Sequence, residues 1–442
     1  MADPHRRRLV ELYRCAVAAA HPSACLGPHL PRLAGPGRVL VVGAGKAAAA
    51  MAVAAEAHYR AAGTLDRVGG FTTAAHGYRD RLAGPLPSRI EIIEACHPTP
   101  DAASEAAARR ALAVAASAGS DDILLVLLSG GASALWAAPA PGLDLAAKTA
   151  LTRGLLKCGA DIHEMNTVRR HLSAIKGGRL AAAAKGARIV TLAISDVPGD
   201  DPATIGSGPT VPDPTTLADA RDILRRRTPM LERLQLEIPS AVMAALANPA
   251  NETLKPGDPA FAGSEYRIIA TPRQALDAAA AAARAGGLDV VDLGDAVTGE
   301  ARDVAGAHAR QALALKAAGR RAVILSGGEL SVTVANKAGR GGRSQEYALA
   351  LAVALDGAPG ISAIAADTDG IDGGEGSADD PAGALIDPTT LARAGARGLS
   401  AARSLADNDA TPFFAVLGDL VATGPTHTNV NDFRAIIIDR AD

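Results

Sequence analysis

The chain has 442 residues and a formal net charge of -2 at pH 7, and 48% of its residues are hydrophobic but only 2% are aromatic. Its length predicts two to three domains of about 150 residues each. Scarce aromatic side chains and a balanced charge argue against a protein that stacks nucleic-acid bases or is steered to an anionic membrane. The 4 cysteines lie far apart without Cys-x-x-Cys spacing, which is typical of a reducing cytosol and argues against a zinc site.

The first predicted element is an amphipathic helix near the amino terminus. Arg6, Arg7 and Arg8 precede apolar residues, as in a signal peptide, but Glu11 and Arg14 interrupt the apolar stretch. No run approaches the about 20 apolar residues that a membrane-spanning helix needs. We therefore expect a soluble, cytoplasmic chain.

A buried strand is predicted from residue 39, and it ends in Gly43-Ala44-Gly45-Lys46, before a helix over residues 47–60. Glycines at the end of a strand let the backbone approach a ligand closely. A lysine at a helix start opposes the positive end of the helix dipole, so Lys46 indicates a bound anion nearby. A solvated lysine is the alternative interpretation.

The glycine motif is compatible with a second kind of ligand. It is not a Walker A loop, because the four-residue spacer and the Ser or Thr after the lysine are missing. With Ala47 and Ala48 it does fit Gly-x-Gly-x-x-Ala, a dinucleotide-binding fingerprint. The acidic residue expected about 20 positions later is poorly placed, since Asp66 precedes the next strand. A nicotinamide cofactor thus stays an open alternative.

Strands and helices continue to alternate. Strands are predicted at 68–72 and 90–94, and a rigid loop, His97-Pro98-Thr99-Pro100-Asp101, follows them. Asp101 can cap a helix over residues 102–115. The continuous apolar run at 123–128 predicts a strand buried on both faces. This alternation predicts βαβ units and a mostly parallel sheet.

The tripeptide Ser-Gly-Gly follows an apolar strand twice, at Ser129-Gly130-Gly131 and at Ser326-Gly327-Gly328. Successive backbone N–H groups in such a turn can bind an anion, although a tight turn without a ligand has the same composition. Open α/β sheets bind ligands at the carboxyl ends of their strands. The strands that end near Lys46, Ser129, Asp196 and Ser326 therefore indicate one polar cleft.

The middle of the chain has a helix from residue 145 and a basic, partly helical stretch over 166–182. A strand at 189–194 enters a long loop over 195–214, and a long loop inside a compact domain is usually functional. Two helices are predicted within 216–247. The Pro-, Asn- and Gly-rich segment 248–263 is the best candidate for a domain boundary.

After that boundary the predicted order is strand, helix, strand, helix and strand, followed by a glycine-rich loop, a helix and two further strands. In the loop Gly341-Gly342-Arg343-Ser344-Gln345-Glu346, Arg343 precedes a helix and can bind a carboxylate or phosphate through its planar fork. A surface turn is the alternative, and Arg340 is interpreted as peripheral.

Acidic residues are concentrated in two loops, one with Asp196, Asp200 and Asp201 and the other with Asp367, Asp369 and Asp372. Carboxylates at strand ends suit Mg²⁺ that carries nucleotide phosphates, although aspartates are also ordinary turn residues. The absence of Gly-x-Ser-x-Gly argues against serine hydrolysis. Basic residues opposite carboxylates in a glycine-rich cleft suit phosphoryl transfer. His97, His163, His171 and His427 show no ligand spacing and are interpreted as structural or supporting residues.

Together the motifs resemble the class II glycerate kinases, or glycerate 2-kinases, whose carboxyl-terminal domain is known as MOFRL. The resemblance covers nearly the whole chain in order. The matching motifs are Gly43-Ala-Gly-Lys46, His97-Pro-Thr-Pro-Asp101, Ser129-Gly-Gly-Ala-Ser133, Met165-Asn-Thr-Val-Arg-Arg-His-Leu-Ser-Ala-Ile-Lys-Gly-Gly-Arg179, Ser195-Asp-Val-Pro-Gly-Asp200, Ser207-Gly-Pro-Thr210, Ser326-Gly-Gly-Glu329, Gly341-Gly-Arg-Ser-Gln-Glu346, Thr368-Asp-Gly-Ile-Asp372 and Gly424-Pro-Thr-His-Thr-Asn429. Where the family usually has Asn before Gln-Glu, this chain has Ser344.

The resemblance implies two α/β domains, over residues 1–247 and 264–442, the larger Rossmann-like with a mostly parallel sheet, and an active site in the cleft between them. It implies phosphorylation of D-glycerate to 2-phosphoglycerate with ATP and Mg²⁺. We expect a monomer or homodimer that binds neither nucleic acid nor membrane. Some family members have been labelled hydroxypyruvate reductases, so an NAD(P)H-dependent reductase remains the alternative.

The family's proposed catalytic lysine and arginine fall on Lys46 and Arg343, and Asp196 and Asp369 are the expected metal ligands. Further residues are expected to bind substrate or nucleotide. They are Gly43, Gly45, Ser129, Gly130, Gly131, Ser133, Asn166, Arg169, Lys176, Ser326, Gly327, Gly328, Glu329, Gln345, Glu346 and Asp372.

Overall fold

The structure, a computed structural model, describes residues 4–374 and 376–439. The chain divides into two compact units, which we name for their place in the sequence. The central unit is Leu26–Ile269, and the terminal unit consists of the described residues of Met1–Cys25 and Ala270–Asp442. Both units combine helices with strands, so the predicted α/β class is confirmed.

The chain begins with helices α1 (Pro4–Ala20) and α2 (Pro22–Cys25), which belong to the terminal unit. Leu9, Leu12, Tyr13 and Ala16 recur at helical spacing on α1 and are buried. The predicted amphipathic helix is therefore present. Among the described residues, no helix combines the length and the apolar character needed to cross a membrane.

The central unit is organised around one sheet. Its strands are β1 (Val39–Ala44), β2 (Val68–Ala75), β3 (Ile90–Ala95), β4 (Ile123–Leu128), β5 (Arg188–Ile194) and β6 (Glu265–Ala270). Their order is β3-β2-β1-β4-β5-β6, and the pairings from β3 to β5 are parallel. This is the strand order of the Rossmann fold, as predicted for the larger domain.

Helices connect these strands and add a separate helical layer. They are α3 (Ala48–Ala61), α4 (Ala102–Ala116), α5 (Ala132–Leu135), α6 (Leu145–Lys157), α7 (Ile162–His171), α8 (Arg179–Ala183), α9 (Leu217–Arg233) and α10 (Ser240–Ala247). Several begin at a residue whose side chain accepts a hydrogen bond from the first turn, which fixes where the helix starts. Asp101 caps α4 as predicted, and Asp144 caps α6.

Apolar cores hold the described residues of the central unit together, one around the sheet and another among the helices. Every residue of β4 is buried, and the core around it includes Val42, Phe71 and Trp136. Helices α6, α7, α9 and α10 share a second core, to which α6 contributes Leu151 and Leu155. This second core fixes the face that α6 turns towards α7 and α9.

The division of the chain differs from the one predicted at residues 248–263. Strand β6 follows that segment, yet it lies at the edge of the central sheet beside β5, and Tyr266 and Ile268 pack on the central core. The sheet thus recruits a strand from beyond the polar segment, and the central unit extends to Ile269.

The terminal unit contains a mixed sheet. Its strands are β7 (Asp289–Asp292), β8 (Ala322–Ser326), β9 (Ile361–Asp367), β10 (Gly383–Ile386), β11 (Leu420–Val421) and β12 (Asp432–Ile438). Their order is β11-β10-β9-β12-β8-β7, with β7 and β8 parallel and the other pairings antiparallel. Its remaining helices are α11 (Pro272–Ala285), α12 (Ala301–Ala317), α13 (Arg343–Leu355), α14 (Thr390–Gly395), α15 (Ala401–Ala406) and α16 (Ala410–Leu417).

Helix α1 completes the terminal unit instead of the domain that follows it in sequence. It packs against α11, β9 and β12. Tyr13 lies against Phe433, and its hydroxyl donates to the carbonyl oxygen of Asp367 over 2.9 Å. The expected assignment of residues 1–25 to the Rossmann-like domain therefore differs from the structure, in which both ends of the chain build one unit.

Candidate active site

Lys46 lies where β1 ends, in a turn that packs against the loop after β4. Gly45 adopts a φ of +134°, and a Cβ on it would overlap Ser129, so this close approach requires glycine. The N–H of Gly45 donates to the carbonyl of Thr73 (3.1 Å), and that of Lys46 to the carbonyl of Gly130 (2.8 Å). Because these amides bond within the protein, the Lys46 side chain is the cationic group that the turn presents.

The loop Ser129-Gly130-Gly131 supports this turn and brings two further groups to it. The hydroxyl of Ser129 accepts a hydrogen bond from the N–H of Ala47 over 2.9 Å. A Cβ placed on Gly131 would lie 3.0 Å from His97 Nε2 and 3.6 Å from Lys46 Cγ. Gly131, His97 and Lys46 therefore meet at the carboxyl ends of β1, β3 and β4.

His97 takes a larger part in the site than the sequence indicates. It lies two residues after the end of β3 and lines a cavity in the central unit. Burial and the nearby positive charge of Lys46 lower the pKa of His97 to about 3. The ring is therefore neutral at pH 7, and it leaves Lys46 as the charged group at this point.

The cavity has a volume of about 370 Å³, and loops from the sheet and helix α6 form its walls. It is lined by His97, Pro98, Thr99, Pro100, Gly131, Ser133, Ala134, Ala137, Lys148, Thr149, Thr152, Arg153, Leu156, Arg169 and Lys176. Four of these lining residues, Lys148, Arg153, Arg169 and Lys176, carry basic side chains and none is acidic. Such a lining suits a small anion.

Two of the predicted binding residues contribute cationic groups to this cavity. Lys176 is fully buried, and its Nζ donates to the carbonyls of Ser133 (2.9 Å) and Gly206 (3.4 Å). Burial lowers the pKa of Lys176 well below its usual range, and the charges of Lys148 and Arg169 act in the same direction. Burial also lowers the pKa of Arg169. An anion in the cavity would offset the cost of holding these charges together.

Lys148 was missed by sequence reasoning. It is 7% exposed, and its Nζ has no hydrogen-bond partner among the described residues. Burial, followed by the charges of Arg169 and Arg179, lowers the pKa of Lys148 to about 7, and Glu105 has the smallest, opposite effect. The signal was available in the sequence, because Lys148 falls on the same stripe of α6 as Leu151 and Leu155.

Other predicted residues of the central unit have different surroundings. Gly43 packs between Leu127 and Thr72, and Ser133 Oγ lies 3.0 Å from Ser207 Oγ. Asn166 is buried on α7 and is not among the residues that line the cavity. Asp196 is half-buried just after β5. His171 is structural, as interpreted from the sequence, because its ring contacts the carbonyl of Thr167 and the carboxylate of Glu252.

In the terminal unit, Arg343 begins α13 and contacts three acidic side chains. Its Nε donates to Asp432 Oδ1 over 2.8 Å, and Nη2 donates to Asp367 Oδ2 over 2.7 Å. Glu329 Oε1 lies 3.5 Å from Nη1. Sequence reasoning did not single out Asp432, which is buried and also accepts a hydrogen bond from Arg434 over 3.1 Å.

Asp372 holds the first turn of α13. Its carboxylate accepts hydrogen bonds from the N–H groups of Ser344 (2.9 Å) and Gln345 (2.8 Å). Burial raises the pKa of Asp372 to about 7, although these two bonds oppose the rise. Because the cap uses the amide of Ser344 and not its side chain, it does not depend on the Asn that the family usually has there.

Gln345 and Glu346 are buried and bonded within the terminal unit. Gln345 Oε1 accepts a hydrogen bond from Thr411 (2.7 Å), and Glu346 accepts one from Arg302 Nε (2.6 Å). Burial raises the pKa of Glu346 despite this partner. These contacts explain both residues as parts of the packing around α13.

The second Ser-Gly-Gly turn is also closely packed. Ser326 Oγ accepts a hydrogen bond from Arg434 Nε over 3.1 Å, and the carbonyl of Gly327 accepts one from the same guanidinium. Gly328 has a φ of +93°, and a Cβ on it would overlap the backbone of Val297. Glu329, by contrast, is half-exposed.

The carboxylates expected to bind metal do not form a ready-made cage. Asp369 is buried just after β9 and accepts the N–H of Ile371 over 2.8 Å. Among the described residues, the one group of three or more His, Cys, Asp or Glu side chains close enough to share an ion is His76, Cys96 and Asp101. Mg²⁺ is usually held by one or two carboxylates together with substrate phosphates, so Asp196 and Asp369 have the donor chemistry that it needs.

A Rossmann-like unit with a cationic cavity at the carboxyl end of its sheet defines the chain as an α/β protein equipped for a small anionic ligand. Residues 8–247 match the model "Domain of unknown function (DUF4147)", and residues 322–432 match the MOFRL family. The "Glycerate 2-kinase" of Pyrococcus horikoshii is 36% identical over 411 residues, which are 91% of this chain and 88% of that protein. The chain belongs to the class II glycerate kinase family and is an enzyme.

Further relatives agree with this family but differ in name. The "D-glycerate 2-kinase" of Thermotoga maritima is 35% identical over 438 residues, 98% of both chains. A crystal structure of glycerate kinase from the same organism has a TM-score of 0.82 at 34% identity and covers 98% of this chain and 99% of its own. A protein of Agrobacterium vitis named "Putative hydroxypyruvate reductase" is 48% identical over 438 residues, 98% of this chain and 94% of that protein.

Proposed function

We propose that the enzyme transfers the γ-phosphoryl group of ATP to the 2-hydroxyl of D-glycerate, with Mg²⁺, and releases 2-phosphoglycerate. The observation that carries the proposal is the cationic cavity beside Lys46, which suits a small carboxylic acid and its more highly charged phosphorylated product. The names of the Pyrococcus and Thermotoga relatives support the same reaction.

Phosphoryl transfer requires mainly positioning and neutralisation of charge. We assign Lys46 and Arg343 to this neutralisation, on the transferred phosphoryl group or on the acid. Arg169 and Lys176 line the cavity and attract the anion. When bound, Mg²⁺ would neutralise charge on the nucleotide phosphates, and Asp196 and Asp369 are the carboxylates that we assign to it.

The reductase alternative follows from the name of the Agrobacterium relative and from the Gly-x-Gly-x-x-Ala fingerprint. Two observations argue against it. Asp66 precedes β2, whereas a ribose-binding acid is expected where β2 ends. The amides of Gly45 and Lys46, which would face a pyrophosphate, already donate to Thr73 and Gly130.

The deciding experiment is phosphorus NMR of the purified protein with D-glycerate, ATP and Mg²⁺. We expect the resonance of 2-phosphoglycerate. The resonance of 3-phosphoglycerate would keep the kinase but contradict the position of transfer. Absence of a phosphorylated product, with NADH consumed when hydroxypyruvate is supplied, would establish the reductase instead.

The role of Lys46 is tested by Lys46→Ala. We expect kcat to fall by about 100-fold or more, because a charge that stabilises the transition state is lost. The melting temperature should change little, since Lys46 is only half-buried. Lys157→Ala removes an exposed lysine of α6 and should leave kcat unchanged. Near-normal turnover of Lys46→Ala would contradict the assignment.

A further inference from the structure

Lys148 occupies a position where its helix otherwise buries leucine. Leu151 and Leu155 follow it at helical spacing on α6, and both belong to the apolar core shared with α7, α9 and α10. An ammonium group on such a stripe is costly unless a partner offsets the lost hydration. A lysine at this position therefore indicates that its ammonium group has a partner when the protein functions.

The Nζ of Lys148 lacks the partners that buried lysines normally have. It has no hydrogen-bond partner among the described residues, and the side chain lines the cavity. Lys176, the other buried lysine of the cavity, donates to two carbonyl oxygens instead. Lys148 is thus the buried cation in this lining whose hydrogen bonds are left for a ligand.

The charges around Lys148 come from several elements and are mostly positive. Arg169 of α7 and Arg179 of α8 repel it, Lys176 lies in the same lining, and Arg153 belongs to its own helix. Glu105 of α4 is the acidic group that acts on it, and this carboxylate already accepts hydrogen bonds from Arg109. An anion would relieve this surplus of positive charge.

We propose that the Nζ of Lys148 binds the carboxylate of the acid substrate inside the cavity. This assignment rests on the proposed function and adds the residue that recognises the acid. A carboxylate there would gain a charge-assisted hydrogen bond with a donor that is already desolvated. The ligand is a small hydroxy acid, and an uncharged polyol of the same size is rejected because it leaves the ammonium unpaired.

Binding of the acid should then be coupled to the uptake of a proton by Lys148. The pKa of Lys148 is about 7 without the anion, and the carboxylate raises it because it favours the charged form. At pH 8 most of the protein holds a neutral Lys148, so ligand binding takes up close to one proton. At pH 6 the amine is already protonated and uptake through Lys148 disappears.

Titration calorimetry of the full chain with D-glycerate, in buffers of different ionisation enthalpy, measures this uptake. The wild-type protein should take up about one proton at pH 8. Lys148→Met should lose about 10- to 100-fold in affinity and the linked uptake. Lys148→Arg should keep binding near the wild-type level but lose the proton uptake that belongs to Lys148, because arginine stays charged. Lys157→Met, on the same helix, should behave as wild type.

Measurements of thermal stability distinguish a role of Lys148 in ligand recognition from a purely structural role. Since the buried ammonium is costly, Lys148→Met should raise the melting temperature by about 3 °C or more while weakening binding. Lower stability with unchanged affinity would overturn the proposal. If Lys148→Met does not fold, Lys148→Arg still tests the proposal, because proton uptake as large as that of the wild-type protein in the arginine variant contradicts it.

Two further ligands, glycerol and inorganic phosphate, test whether Lys148 recognises a carboxylate. Glycerol should not bind, and inorganic phosphate should lose less affinity than D-glycerate in Lys148→Met. A loss confined to phosphate or ATP would overturn the carboxylate assignment. Failure of the wild-type protein to phosphorylate D-glycerate would reject the proposed function, whereas product formation with an unchanged KM in Lys148→Met at pH 8 would reject this inference alone.

Discussion

At the residue scale, the two groups assigned to catalysis have different environments. Lys46 is held by the turn around it, whereas Arg343 is held by its own ion pairs with Asp367 and Asp432. A planar fork can serve two carboxylates at once, and a lysine cannot. A lysine at position 343 should therefore not replace the arginine, although it carries the same positive charge.

We expect Arg343→Lys to lower kcat by about 10-fold or more and to cost about 1–3 kcal/mol of stability, because one buried carboxylate loses a charged hydrogen bond. Steady-state kinetics and thermal unfolding measure the two effects. Arg340→Lys is the matched control, since Arg340 is exposed and lies in the same loop. Lost stability with normal turnover would show that Arg343 is only structural.

Sequence reasoning at this scale depends on local signals. Lys46 stands out because glycines and a helix start surround it in the sequence. For Lys148 the sequence offers only its place on the stripe of Leu151 and Leu155, because its significance comes from burial in the cavity lining and from the arginines of other elements. The family resemblance groups Gln345, Glu346 and Asp372 as binding residues, and the structure adds that all three form hydrogen bonds within the terminal unit.

At the element scale, helix α13 depends on a cap from a distant loop. Asp372 accepts the amides of Ser344 and Gln345, so it fixes the turn from which Arg343 extends. A local sequence pattern reveals caps such as Asp101 and Asp144, which precede their helices directly. It does not reveal Asp372, which is far away in sequence.

We expect Asp372→Ala to cost about 1 kcal/mol and to lower kcat, because the first turn of α13 loosens around Arg343. The pKa of Asp372 rises from 3.8 in the unfolded chain to about 7 in the fold, so the native state binds more protons in this window. The contribution of Asp372 to the stability of the wild-type protein therefore falls as pH rises from 3.8 to 7. The loss of stability caused by Asp372→Ala should accordingly be largest near pH 4.

Thermal unfolding at several pH values measures this trend, and Thr271→Ala provides the control. Thr271 caps α11 through its own side chain, and no titrating carboxyl group is involved. Its loss should lower stability by a similar amount at every pH and leave kcat unchanged. A deficit in Asp372→Ala that grows from pH 4 to pH 8 would contradict the argument.

At the scale of the whole molecule, the positions of the strands could be predicted from the sequence. The unit to which each segment belongs could not. Apolar runs such as 123–128 are visible locally, and so is their alternation with helices. That β6 joins the central sheet, and that α1 packs on α11 and β12, depends on pairings between residues far apart in sequence. Polar composition at 248–263 therefore suggested a boundary that the sheet crosses.

Because both ends of the chain form the terminal unit, residues 1–25 should contribute to its stability. Arg6 pairs with Asp387 and with Asp419, each over 2.7 Å, and Thr428 Oγ1 donates to the carbonyl of Ala20. Tyr13 covers Phe433. Removing this segment would expose the apolar face of β9 and β12 and leave two buried carboxylates without Arg6.

We therefore expect a chain that lacks residues 1–25 to lose the unfolding transition of the terminal unit, whereas the contiguous central unit keeps its own. Scanning calorimetry with limited proteolysis distinguishes the two, because a destabilised terminal unit is cleaved first within 270–439. Arg6→Ala should produce a milder loss of about 1–3 kcal/mol in the same transition, since Arg393 still contacts both carboxylates. An unchanged thermogram for the shortened chain would mean that α1 contributes little to the terminal unit.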